Sequence, residues 1–392
     1  MKTFCEFFAG VGLVREGLQN FGWQCTWAND ISNDKEETYK KNYGADHFWC
    51  GDVWQALEKD SSLPKDAFLY TASFPCTDLS VAGNREGLAG SESGALMALF
   101  EILESKAHQN LLPKVVLLEN VNGFLTSHDG DDVKETVRLF SDLGYYVDIV
   151  QLDAIKFTPQ SRPRVFCIAI QSSLARKLDI FKIKPKDSFL SEWWTHFQKE
   201  PSIRSAKLKK IIQTSEELNW GLFDVTAPTQ GDTRLADIIE SDIPDDSKVW
   251  WNQERQDHLF SQMSNSHKAI LEDMVTNNQL SYGTVYRRMR KGKSMAELRT
   301  DGFAGCLRTP KGGSSKQIVV EAGFGSWRVR LLTPREYARL QGVRDSFILP
   351  KNDNKGYFAM GDAVCVPVIE FLAQNILNPI YNAQLELIKK AA

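Results

Sequence analysis

A chain of 392 residues, with 42% hydrophobic and 25% charged side chains, has the balance of a globular protein, and its length suggests two domains or one large domain carrying an insertion. The net charge of −3 excludes a uniformly basic nucleic-acid binder, so any such surface must be local. Seven cysteines, an odd number with no C-x-x-C pair, disfavour both a disulfide framework and a zinc site.

The N-terminal segment MKTFCEFFAG carries Glu6 within its apolar run and does not read as a signal peptide. It reads instead as a strand over 3–8, followed by an amphipathic helix over 13–21, a strand over 25–28 and a polar helix over 33–43. Further strands are predicted at 67–72, 114–118, 146–152 and 165–170, with helices at 94–107 and 132–143. Strands alternating with helices predict an α/β fold with a doubly wound, mostly parallel sheet. Gly10 and Gly12, in FFAGVGLVREGL between the first strand and helix, permit a tight turn and close backbone approach to a ligand. A dinucleotide fingerprint would need a third glycine where Arg15 stands. Asp30 ends the second strand, where a carboxylate can accept from ribose hydroxyls, and Asp52 falls near the next strand end, within reach of an adenine amino group. Read singly, the glycines are only a turn and the aspartates only helix caps. In this order they favour an adenosine-bearing ligand without a pyrophosphate.

Cys76 follows the strand over 67–72 and is preceded by Pro75, which stiffens the approach to it. Burial is the default for a free cysteine. A nucleophile at the ligand-facing strand end is the alternative, because ligands of open α/β sheets sit outside the carboxyl ends of the strands. Glu119, after the apolar run VVLL, occupies an equivalent position, and Arg162 and Arg164 flank Pro163 just before a strand. Arginine keeps its charge and offers a fork of donors suited to a carbonyl or phosphate. A surface acid and a solvated arginine pair are the plain readings of these groups.

Beyond residue 171 the composition shifts toward Lys, Ser and Trp, with weak periodicity. A basic run, Arg287-Arg288-Met289-Arg290-Lys291-Gly292-Lys293, precedes the Gly-rich GFAGCLRTPKGGSSKQ. The tryptophan pairs read as core residues. Helical patterning returns at 333–340 and 366–377. The expected division is a domain of residues 1–170 plus 328–392, with 171–327 inserted between. No uninterrupted apolar stretch long enough to span a bilayer is evident in the sequence, and the expected setting is cytoplasmic, with no membrane association.

The order Phe8-Ala9-Gly10-Val11-Gly12, Pro75-Cys76, Glu119-Asn120-Val121 and Gln160-Ser161-Arg162-Pro163-Arg164, closed by RLLTPREYARLQG and GDAVCVPV, resembles the DNA cytosine-5 methyltransferases of bacterial restriction-modification systems. Departures from that family's pattern are Thr77 for glutamine, Leu13 for a third glycine, Asp362 for asparagine and Cys365 for proline.

The resemblance implies S-adenosylmethionine as cofactor, held by Phe8, Ala9, Gly10, Gly12, Asp30, Asp52, Pro75, Leu96 and Asp362. It implies double-stranded DNA as partner and residues 171–327 as a target-recognition domain. Carbon 5 of cytosine is too weakly nucleophilic to take a methyl group directly. Addition of the Cys76 thiolate to carbon 6 activates it. A free thiol has a pKa of about 8.5, so Arg164 or a helix N-terminus is expected to lower it. Glu119 is assigned to the N3 and N4 edge of the base, Arg164 to O2, and Arg162 alongside as support. The base must leave the duplex, and the loop over 77–94, including Ser80, is expected to close over it. Arg287, Arg288, Arg290, Lys291 and Lys293, then Arg308, Lys311 and Lys316, are the expected DNA contacts. A cognate restriction endonuclease is a possible partner, and a monomer suffices for one site per chain. The tRNA-modifying branch of the family, a catalytically silent DNA-binding regulator and a methyltransferase acting on small molecules or proteins are the alternatives.

Overall fold

The computed structural model describes residues 1–58, 61–75, 94–185, 192–290, 292–309 and 316–391. These form two compact units, one of Met1–Asp153, Pro163–Pro228 and Val368–Ala392, the other of Ala154–Arg162 and Thr229–Pro367. By packing, residues 171–228 go with the first unit and 328–367 with the second. These packing boundaries differ from the expected division at 171 and 327.

The first unit is built on a seven-stranded sheet. Its strands are β1 (Thr3–Phe7), β2 (Gln24–Asp30), β3 (Phe48–Cys50), β4 (Leu69–Ser73), β5 (Val115–Val121), β6 (Tyr145–Asp153) and β7 (Pro163–Gln171). They lie in the order β3-β2-β1-β4-β5-β7-β6. β1 to β5 are parallel, and β7 runs antiparallel to both β5 and β6. The central strands read as apolar runs because each is buried on both faces; four of the five residues of β1 are buried. β3, implied by placing Asp52 near a strand end but given no range, is only three residues long.

The connecting helices are α1 (Leu13–Gln19), α2 (Asn33–Tyr43), α3 (Ala95–His108) and α4 (Asp131–Asp142). The polar α2 is capped by Ser32, and Glu36–Lys40 pairs one turn apart at 2.5 Å on its surface. The strand order reverses between β1 and β4, the switch point at which open α/β sheets bind ligands. A short pair, β8 (Phe181–Ile183) and β9 (Gly221–Phe223), completes the unit's strands among the described residues. Trp193, Trp194 and Trp220 are buried in its core, as expected of the tryptophans.

The second unit contains an antiparallel sheet of β10 (Ser281–Arg290), β11 (Lys293–Arg299), β12 (Ile318–Gly323) and β13 (Ser326–Leu331), ordered β11-β10-β12-β13. Val285, Leu298, Val320 and Val329 pack there with Leu259, Leu271 and Met274 from the helices Gln253–Ser261 and Asn265–Thr276. Arg330 and Glu336 form a fully buried pair through bonds of 2.7 and 2.6 Å. Glu336 also accepts the Thr333 N–H at 2.7 Å, closing a capping box on the helix Pro334–Leu340.

The helical run Asp353–Lys390, of which the sequence reading predicted 366–377, has the length and composition of a membrane span. Since 67% of its most apolar window is buried inside the protein, it is a core element.

Candidate active site and nucleic-acid interface

The turn after β1 uses three left-handed residues, Phe8 (φ 55°), Gly10 (φ 58°) and Gly12 (φ 84°). The two glycines differ. A Cβ on Gly10 would meet no atom within 4 Å, so the backbone is open to a ligand on that side. A Cβ on Gly12 would fall 2.6 Å from the Tyr43 ring and 2.7 Å from that of Tyr39, so Gly12 serves helix packing. Asp30 ties the turn to β2, accepting the Gly10 N–H at 2.9 Å and the Ser32 N–H at 3.0 Å. Asp52 is exposed and caps a short helical turn by accepting the Trp54 N–H at 3.1 Å. Asp30 is thus a tether for the turn rather than a helix cap, whereas Asp52 is a cap. Leu96 is fully buried in the apolar core of the unit.

Beneath the turn lies a buried polar cluster that sequence reasoning missed. Glu6 is 1% exposed and accepts the Arg15 N–H at 3.4 Å; burial pushes its carboxyl up to a pKa of about 8. Arg15 lies over the Tyr43 ring at 4.5 Å and donates to the Tyr39 hydroxyl at 3.1 Å and to His47 Nε2. Burial, then the Arg15 charge, hold the His47 imidazole down at a pKa of about 4. The residue that breaks the dinucleotide fingerprint is therefore a packing element. Glu6 was a visible signal, an acid inside an apolar strand. Leu13, which replaces the family's third glycine, is buried at the start of α1.

β1, β4 and β5 are parallel, so their carboxyl ends share one edge of the sheet, and the antiparallel β7 begins at that edge. The glycine turn, Pro75, Glu119 and Arg164 therefore converge there. Arg164 Nε lies 3.0 Å from Glu119 Oε1, with the two side chains 15% and 11% exposed. Asn120, quoted in the sequence motif but given no role, donates to the Phe74 carbonyl at 3.2 Å and so fixes the backbone two residues before Cys76. Cys76 and Ser80 lie outside the described residues, as does Thr77.

Arg162, expected beside Arg164, belongs to the second unit. It is 2% exposed and donates to the carbonyls of Leu307 at 2.8 Å, Gly361 at 3.0 Å and Ala363 at 2.7 Å. Gln160 and Gln341, fully buried, join the same segments: Gln160 donates to the Leu340 carbonyl at 3.0 Å, and Gln341 to that of Met360 at 2.7 Å. Asp362 ends the helix Asp353–Asp362 of this unit with its side chain exposed. Cys365 is buried, its sulfur 3.8 Å from the Thr158 hydroxyl.

The basic run forms the tip of the β10–β11 hairpin, turning at Gly292 (φ 76°). Arg288, Arg290 and Lys293 are exposed and Arg287 is half-buried beside Arg255, burial and that neighbour lowering its pKa. Arg308 is exposed and lies over the Tyr286 ring at 5.3 Å. Lys316 donates to Asn354 Oδ1 at 2.6 Å. Lys291 and Lys311 lie outside the described residues.

An α/β sheet with an open glycine turn at its switch point and an acid–arginine pair at the same edge has the layout of the methyltransferase fold. The model of the C-5 cytosine-specific DNA methylase family matches residues 2–378. The chain belongs to that family, whose members are DNA (cytosine-5-)-methyltransferases that take the methyl group from S-adenosylmethionine. It is 26% identical to the type II methyltransferase M.HpaII of Haemophilus parainfluenzae over 97% of this chain and 90% of that one. It is 25% identical to the type II methyltransferase M.HhaI of Haemophilus parahaemolyticus over 95% and 93%. Among solved structures, the S. pombe Dnmt2 methyltransferase shares the fold with a TM-score of 0.58 at 17% identity, covering 97% of this chain and 99% of that chain.

Proposed function

We propose that this chain methylates carbon 5 of a flipped-out cytosine in a specific duplex DNA sequence, through a transient bond between Cys76 and carbon 6. The observation that carries this reading is the Glu119–Arg164 pair, 3.0 Å apart at the strand edge where β4 leads into Pro75, the residue before Cys76 in sequence. On cytosine, O2 is adjacent to N3, and N3 to the N4 amino group. A donor and an acid held side by side match that edge. Arg164 holds O2, while Glu119 shares a proton with N3 and accepts from N4, drawing electrons from the ring as the sulfur adds. The Cys76 thiolate attacks carbon 6, making carbon 5 nucleophilic; once carbon 5 is methylated and has lost its hydrogen to a base, the thiolate leaves. Asn120 and Pro75 keep the nucleophile's backbone in place, and Arg162 acts indirectly, as a brace for residues 307 and 361–363.

S-adenosylmethionine supplies an electrophilic methyl group when bound. The residues fit it: the open backbone at Gly10 and the acids Asp30 and Asp52, with Phe8, Ala9 and Pro75, are proposed to hold it, whereas Leu96 is fully buried and is not among them. Residues 171–327 are proposed to recognise the target through Arg287, Arg288, Arg290, Lys293, Arg308 and Lys316, together with Ser80, Lys291 and Lys311. A cognate endonuclease as partner, in keeping with the type II relatives, and a monomeric, cytoplasmic enzyme belong to the same proposal.

The test is transfer of label from the methyl donor to duplex DNA, with tRNA as a parallel substrate. Label is expected in DNA, together with a covalent adduct on duplexes carrying 5-fluorocytosine, whose carbon-5 substituent cannot be abstracted. Label confined to tRNA, or no adduct under turnover, overturns the reading.

A further inference from the structure

The hairpin tip carries a carboxylate among its cations. Strand pairing places Tyr286 opposite Glu297, Arg288 opposite Met295 and Arg290 opposite Lys293. Side chains alternate across a strand, so these six share one face. The other face carries Val285, Ala296 and Leu298 into the core. On the polar face Arg288 donates to Glu297 Oε2, and Arg290 lies 3.0 Å from Glu297 Oε1, so each carboxylate oxygen takes one guanidinium. The two arginine side chains are 45% and 60% exposed. Exposed pairs of this kind add little to fold stability, so stability does not account for an acid at this position.

Resting on the proposed DNA reading, we infer that Glu297 sets target specificity by committing Arg288 and Arg290 to guanine edges instead of phosphates. A guanidinium has donors on more than one edge. Paired with a carboxylate, it loses most of its net attraction for a phosphodiester. It keeps donors that can meet the neutral O6 and N7 acceptors of guanine, the base arginine reads in the major groove. Phosphate attraction is the sequence-independent part of DNA affinity. Glu297 therefore penalises random duplex more than it penalises a site with guanine at the right position.

Glu297→Gln is expected to raise affinity for random-sequence duplex about tenfold at low salt and to steepen the salt dependence by about one counterion. Bisulfite sequencing of DNA from cells expressing this variant is expected to show the parental consensus relaxed at a guanine. Adding Arg288→Gln to Glu297→Gln is expected to cancel the gain in random binding. Unchanged random affinity, weaker random binding or an unchanged consensus in Glu297→Gln overturns the inference. A parental protein that binds no duplex and leaves no methylated consensus instead overturns the DNA reading on which it rests.

Discussion

The strand-edge site of the first unit and the hairpin tip of the second both set arginine against glutamate, in opposite ways. Arg164 and Glu119 are 15% and 11% exposed and stand on neighbouring strands, in register through Val121↔Arg164 and Glu119↔Phe166. Arg288 and Arg290 are 45% and 60% exposed at the end of a two-stranded projection. A proton-sharing acid and its partner must be held within a fraction of an ångström, which two hydrogen-bonded strands of a buried sheet provide. Reading a groove calls for reach and exchangeable partners, which a hairpin provides. On the proposed readings the same residue pair is machinery in one place and a specificity device in the other, and burial separates the two.

That contrast can be broken experimentally. Cys76→Ser is expected to lower methyl transfer at least about a thousandfold while duplex binding changes only a few-fold. Full activity in this variant would sink the nucleophile assignment. Glu119→Gln should lower kcat about 10²–10³-fold, because it keeps the shape but loses the shareable proton. If KM rose instead with kcat intact, the group would serve binding and not chemistry. Arg288→Gln should do the reverse, weakening binding to the target duplex about tenfold and relaxing the consensus at a guanine, with the salt slope little changed and kcat unchanged at saturating DNA. Gly12→Ala, forced into the Tyr39 and Tyr43 rings at positive φ, should cost about 1–3 kcal/mol in denaturant unfolding. A neutral result would show that α1 and α2 can separate.

The buried cluster beneath the turn gives an effect that shows only as pH dependence. The folded state raises the Glu6 carboxyl from its ordinary 4.5 to about 8 and so favours its protonated form. The stability this contributes is present below pH 4.5 and is lost as pH rises through 8. His47 has the opposite sign: lowered from 6.5 to about 4, it withdraws stability as pH falls across that interval. Glu6→Gln should flatten the alkaline side of the stability profile, on the order of 1–3 kcal/mol between about pH 5 and 8. An unchanged profile would place the pH dependence elsewhere.

What could be read from the chain alone followed from local physics. Strands buried on both faces are continuous apolar runs, so β1, β4, β5 and β7 were legible, and the spaced blocks around Gly10, Cys76, Glu119 and Arg164 pointed to one edge of one sheet. The hairpin was not legible, because its charged tip hides the alternation of a strand whose inner face alone is apolar.

The sequence by itself determined the alternating α/β layout and the chemical groups at the strand ends, since both arise from periodicity and from short motifs. Only the tertiary structure decided partnership. Arg162 and Arg164 stand two positions apart, yet one reaches carbonyls 145 to 201 positions away and the other pairs with Glu119. Gly10 and Gly12 look alike in sequence, but Tyr39 and Tyr43 occupy the space beside only one of them. Such contacts depend on which distant segments a compact fold brings together, and no local pattern encodes that.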